Sequence, residues 1–60
     1  MTKYTQSSKC LIVAEDITSD GTQVGSDWYY RLVDVANFQA VLDQGATEIT
    51  EQEYKSALGV

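Results

Sequence analysis

Residues 28–42 read WYYRLVDVANFQAVL, and this stretch decides the fold of the 60-residue chain. Its first six residues, Trp28–Val33, are aromatic, aliphatic or β-branched apart from one arginine, which is the composition of a β-strand. Asp34 then has the side chain of a helix N-cap, and the apolar positions after it change from a period of two to a helical period. The stretch therefore predicts a strand followed directly by a helix.

A second strand is predicted before this stretch. Cys10–Ala14 is a run of five apolar residues without polar alternation, typical of a strand buried on both faces, with a short buried helical segment as the alternative. The polar segment Glu15–Asp27 contains Asp20-Gly21, a hairpin signal, so the two strands are expected to pair antiparallel. Met1–Lys9 is rich in Thr, Ser and Lys and predicts a flexible arm or a short edge strand.

Two short helices are predicted after the second strand. The first covers about Val35–Gln44 and ends at Gly45. The second has a capping box formed by Thr50 and Glu53 and ends at Gly59. The apolar stripe of the first helix consists of Val35, Phe38, Val41 and Leu42. Between the helices, Ala46–Ile49 is extended and is a candidate for a third short strand.

The predicted fold is thus a single α+β domain over residues 1–60. It consists of an antiparallel β-hairpin, with the optional third strand, and two short helices in the order ββαα. A chain of this length buries only about 60% of its unfolded surface, so its own core gives marginal stability.

Composition excludes several functional classes. Nine acidic residues against four basic residues give a net charge of −5, which disfavours binding to nucleic acids or to anionic membranes. One cysteine and no histidine exclude an internal disulfide and the usual zinc sites. The chain lacks the patterns of a membrane span and of a signal peptide, so we expect a cytoplasmic or otherwise unexported protein.

Catalysis has little support in the sequence. Without histidine there is no Ser-His or Cys-His pair. Sixty residues are too few to build both a core and a substrate cleft of several hundred Å³. We therefore predict a non-enzymatic protein that needs no cofactor.

One loop has the spacing of a calcium site. Asp16, Thr18, Asp20 and Gly21 occupy positions 1, 3, 5 and 6 of a twelve-residue count that ends at Asp27. Three features favour the alternative of an ordinary polar turn: Thr at position 3, Asp in place of the final Glu, and strand-like flanks. No metal site is assigned on this evidence.

Apolar residues on both faces of the predicted hairpin point to a partner. Two short helices can cover one face of a hairpin but hardly both, and an isolated hairpin leaves open edges. We therefore expect the chain to complete its sheet, or its second face, with another protein chain in a homo-oligomer or a larger assembly. The candidate interface residues are Leu11, Val13, Tyr29, Arg31 and Val33.

The C-terminal pattern Ile49-Thr50-x-x-Glu53-Tyr54-x-x-x-Leu58-Gly59, after a helix that ends at Gly45, resembles the ends of short proteins from bacteriophage head and tail gene clusters. This resemblance implies a minor virion or virion-assembly protein. It assigns no individual functional residues.

Two other functions stay open. The acidic composition also fits a small inhibitor that imitates phosphate charge and occludes a basic site on a host protein. In this interpretation Glu48, Glu51 and Glu53, which crowd the start of the last helix, form an acidic patch. The remaining class is a calcium-binding or other ligand-binding module.

Overall fold

The computed structural model describes residues 2–11, 21–33 and 38–59. The elements in this part are β1 (Lys3–Ser7), β2 (Thr22–Val24), β3 (Asp27–Leu32), α1 (Phe38–Asp43), β4 (Thr47–Ile49) and α2 (Glu51–Leu58). The strands form one antiparallel sheet in the order β2-β3-β1-β4. The predicted α+β class is confirmed, but the order of elements is not a hairpin followed by two helices, since β1 precedes the hairpin and β4 separates the helices.

The strand predicted at Trp28–Val33 is confirmed as β3, shifted by one residue. Its side chains alternate as expected, with Tyr30 and Leu32 buried and Arg31 between them exposed. β2 precedes it in a tight hairpin whose turn contains Gly25 at φ +64°, a conformation that glycine adopts without strain. The turn of this hairpin therefore lies at Gly25-Ser26 and not at Asp20-Gly21; Gly21 directly precedes β2, and Asp20 lies outside the described residues.

β1 is the main difference from the sequence prediction. Lys3–Ser7 is neither a flexible arm nor an edge strand, since it pairs with β3 on one side and with β4 on the other. Thr5 and Ser7 are buried in it, and their small side chains lie directly opposite the large Tyr30 and Trp28 of β3. A polar segment can occupy the middle of a sheet because both rows of its backbone hydrogen-bonding groups are paired.

The apolar run predicted as a strand starts outside the sheet. Cys10 is exposed and Leu11 is buried, and neither belongs to a strand. Before them, the amide of Lys9 donates a hydrogen bond to Ser7 Oγ at 3.2 Å, a local turn contact that ends β1. The rest of the predicted strand, residues 12–14, lies outside the described residues.

The core lies on one side of the sheet. Its buried residues are Leu11, Tyr30, Leu32, Val41 and Ala46, with Trp28 and Phe38 packed against them. Tyr30 is at its centre: the hydroxyl accepts a hydrogen bond from the Leu11 amide at 2.7 Å, and a Cβ added to Gly21 would lie 2.7 Å from its ring. Residues 11 and 21 are thus both held against the same side chain.

Both helices end as predicted. α1 lies within the predicted range, and Gly45 follows it at φ +110°; the predicted N-cap Asp34 lies outside the described residues. In α2 the capping box is complete, because Glu53 N–H donates to Thr50 Oγ1 at 3.1 Å and Thr50 N–H donates to Glu53 Oε1 at 2.9 Å. The optional strand at Ala46–Ile49 is present as β4.

Replacing Thr5 with valine should stabilise the protein. Its Oγ1 is buried without a hydrogen-bond partner among the described residues, and an unpaired buried hydroxyl costs about 1–3 kcal/mol. Thr5→Val keeps the branched shape and should raise the free energy of unfolding by about 1 kcal/mol, measured by urea denaturation. Thr22→Val, at an exposed position of β2, is the matched control and should change it by less than about 0.5 kcal/mol. A Thr5→Val protein less stable than wild type would contradict the assignment.

Removing the Tyr30 hydroxyl should destabilise the fold. Tyr30→Phe leaves the buried Leu11 amide unpaired, at an expected loss of about 1–3 kcal/mol in the free energy of unfolding. Tyr29→Phe on the same strand is the control and should be close to neutral, since no described residue hydrogen-bonds that hydroxyl. Equal losses in the two variants would show that the Leu11 contact contributes nothing.

The same tyrosine predicts a loss of stability at alkaline pH. Burial raises the pKa of Tyr30 above 10.0, the Leu11 hydrogen bond opposes the rise, and the neighbouring Cys10 thiol adds to it. The folded state therefore holds the phenolic proton more tightly than the unfolded state. This contribution is fully present below the unfolded-state pKa and is lost as the pH rises through the folded-state pKa. Urea denaturation across this range should show a smaller loss for Tyr30→Phe than for wild type.

Candidate protein interaction surface

The two faces of the sheet differ in what covers them. Directly opposed residues of an antiparallel pair lie on the same face, so the strand registers assign each side chain to one side. We call core face the side that carries Thr5, Ser7, Trp28, Tyr30 and Leu32. We call open face the patch on the other side formed by Gln6, Thr22, Val24, Asp27, Tyr29 and Arg31.

α2 covers only one end of the second side. The ring of Tyr54 packs on Tyr4 with 4.7 Å between ring centroids and 44° between ring planes. Tyr4 and its neighbour Ile49 on β4 are half-buried as a result. This aromatic contact holds an eight-residue helix that is too short to be stable in water without packing.

The open face is accessible beside the contact of α2 with Tyr4, although Arg31 lies directly opposite Tyr4 on β3. Arg31 is exposed, Tyr29 and Gln6 are half-buried, and Val24 is 37% exposed. Val33 directly follows β3 and is 57% exposed. The surface therefore has an aromatic ring and a guanidinium group at its centre and an exposed valine towards each end.

The charges of the open face have no ion-pair partner within the described part of the chain. Ion pairs among the described residues join Lys3 Nζ to Glu48 Oε2 at 3.5 Å and Lys55 Nζ to Glu51 Oε2 at 2.8 Å. Arg31 and Asp27 take part in neither. Both groups are thus available to another molecule.

The acidic residues around α2 are already engaged. Glu48 is beside Lys3, Glu51 forms the pair with Lys55, and Glu53 closes the capping box with Thr50. The hydrogen bond from Lys55 to Glu51, together with their mutual attraction, raises the pKa of the lysine. These carboxylates stabilise α2 and the edge strand β4, and they do not form an unpaired acidic cluster.

The described residues hold no cluster of side chains that could bind a metal ion. No group of three or more Cys, Asp or Glu side chains converges among them. A shallow depression of about 420 Å³ lies beside α2, but Glu51, Gln52, Lys55 and Ser56, which line it, all come from one helix. Neither described helix is long and apolar enough to cross a membrane.

Three of the five predicted interface residues come together. Tyr29 and Arg31 share the open face, and Val33 follows them along the chain. Leu11 is only 2% exposed and belongs to the core, so it is unavailable to a partner in this structure. Val13 lies outside the described residues. The sequence analysis missed Gln6, Thr22 and Val24, whose place on this face follows from strand alternation only once β1 and β2 are recognised.

Most of the candidate calcium loop, including Asp16, Thr18 and Asp20, lies outside the described residues. Its last member, Asp27, is the first residue of β3 and is paired with Val24 of β2. The side chain of Asp27 belongs to the open face.

Comparisons of the chain with protein-family models, with curated proteins and with solved structures found no match.

Proposed function

We propose that this protein is a non-enzymatic interaction module, a small structural or accessory subunit of a larger assembly such as a phage virion. The observation that carries the proposal is the Tyr29–Arg31 pair on the uncovered part of the sheet, near the exposed Val24 and Val33. Tyrosine and arginine are enriched among the residues that contribute most to protein–protein binding. A flat surface of this composition is suited to docking another protein.

The short edge strands favour a partner that docks on the face of the sheet over a partner that adds a strand to its edge. The edge strands β2 and β4 are each three residues long. Strand addition draws its affinity from main-chain hydrogen bonds, and three residues provide few of them. The exposed side chains of the open face provide contacts that do not depend on strand length.

Because the carboxylates around α2 already have partners within the chain, they do not favour an inhibitor that imitates phosphate. Such a protein needs unpaired carboxylates grouped on one exposed face. Here Glu51 has a lysine partner and Glu53 caps α2. The open face itself carries one acidic and one basic residue.

Removing the two central side chains should break the assembly. We expect Tyr29→Ser combined with Arg31→Ser to weaken the native complex by about 30-fold or more, the effect of losing an interface hot spot. The measurement is the native mass of the complex that carries the tagged chain from its own source, with affinity measured on the isolated complex. Circular dichroism and thermal unfolding must first show that the variant is folded.

A matched control separates the open face from the rest of the surface. Gln52→Ser combined with Ser56→Ala changes two exposed residues of α2 and should leave the complex intact. High salt should weaken the complex only modestly, because the open face carries one acidic and one basic residue, whereas an acidic mimic would lose affinity steeply. The proposal would be refuted if the Tyr29→Ser, Arg31→Ser variant formed a complex with the same mass and affinity as the wild-type chain.

A further inference from the structure

We propose that the occupant of the open face is a second copy of this chain, related by a two-fold axis that passes over Tyr29 of β3, between the two stacked faces. In this arrangement Asp27 of each copy faces Arg31 of the other. The inference rests on the proposed function and names the partner for the same surface.

The spacing of the charges makes the face complementary to itself. Asp27 and Arg31 lie two residues before and two residues after Tyr29, on the same side of one strand. At about 3.3 Å per residue they are about 13 Å apart along β3. When two copies stack open face to open face, the two-fold axis between them is perpendicular to β3 and passes over Tyr29. This axis places Asp27 of one copy opposite Arg31 of the other, as an isologous interface requires.

Both groups are free to make this contact. Arg31 is exposed and Asp27 is half-buried. The ion pairs of the described residues use Lys3, Glu48, Glu51 and Lys55 instead. Two symmetric ion pairs therefore form on association without breaking a contact described within the chain.

The distribution of charge also favours a second copy over a basic partner. The chain has a net charge of −5, and two copies would repel each other if they met through acidic surfaces. On the open face the charges of Asp27 and Arg31 cancel, and Gln6, Thr22, Val24 and Tyr29 are neutral. Glu48 lies on the opposite side of the sheet, since it pairs with Thr5 of the core face.

The size of the patch sets the strength of the dimer. A standard interface buries about 800 Å² per partner, and the whole surface of this chain is 3747 Å². An open face of six residues, with part of the same side already under α2, belongs at the small end of the range. We therefore expect a dissociation constant in the micromolar range, about 1–100 μM.

Charge reversal tests the arrangement. Sedimentation equilibrium and native mass spectrometry should show a dimer of the wild-type chain. Asp27→Arg alone and Arg31→Asp alone each place like charges opposite each other, and each should weaken self-association by about tenfold or more. An equimolar mixture of these two variants should form a heterodimer, because one copy then presents two arginines and the other two aspartates.

Matched controls keep the net charges the same. Asp43→Arg and Lys9→Asp carry the same two charge changes at exposed positions outside the open face. Each should dimerise like wild type, and their mixture should show no preference for the heterodimer. Thermal unfolding verifies that all four variants are folded.

The inference and the proposed function fail in different ways. A wild-type chain that stays monomeric up to about 1 mM, or a mixture of Asp27→Arg and Arg31→Asp without a heterodimer, overturns the two-fold arrangement. If the native complex still depends on Tyr29 and Arg31, the proposed function stands with a different protein on the open face. If the complex is indifferent to them, both proposals are wrong.

Discussion

The burial of one tyrosine holds together parts of the chain that are distant in sequence. Tyr30 pairs with β1 through Thr5, accepts the Leu11 amide, packs against Gly21 and joins Val41 of α1 in the core. A domain of this size has few apolar residues, so one large ring with a polar tip provides both the packing and the connection. Its hydroxyl satisfies a backbone group that would otherwise be buried without a partner. The sheet, the segment that ends at Leu11 and α1 therefore all depend on this residue.

The elements that local chemistry specifies were predictable from the sequence. The capping box of Thr50 and Glu53 is a contact between residues three apart, so its pattern is complete in the sequence itself. The alternation in β3 and the glycine after α1 are likewise local signals. The same alternation correctly placed Tyr29 and Arg31 on one face. These features follow from the geometry of a single strand or a single helix turn.

The position of β1 was not predictable in this way, because it depends on residues far along the chain. Its Thr5 and Ser7 are polar, and nothing nearby in the sequence indicates that Tyr30 and Trp28 lie opposite them. The continuous apolar run from Cys10 gave a stronger local signal, yet Cys10 is exposed and only Leu11 of the described pair enters the core. Without β1 the hairpin of β2 and β3 is not connected to β4, and the place of Gln6 on the open face cannot be assigned. The tertiary context here overrides local propensity.

The position of β1 at the centre of the sheet has a consequence for biosynthesis. β1 spans Lys3–Ser7, but its neighbours β3 and β4 end at Leu32 and Ile49. Its two rows of hydrogen-bonding groups can both be paired only after the residues up to Ile49 have been synthesised. Pairing Tyr4 with Ile49 closes a loop of more than forty residues, a non-local step that slows folding. The order of synthesis thus delays the complete sheet until β4 is available to pair with β1.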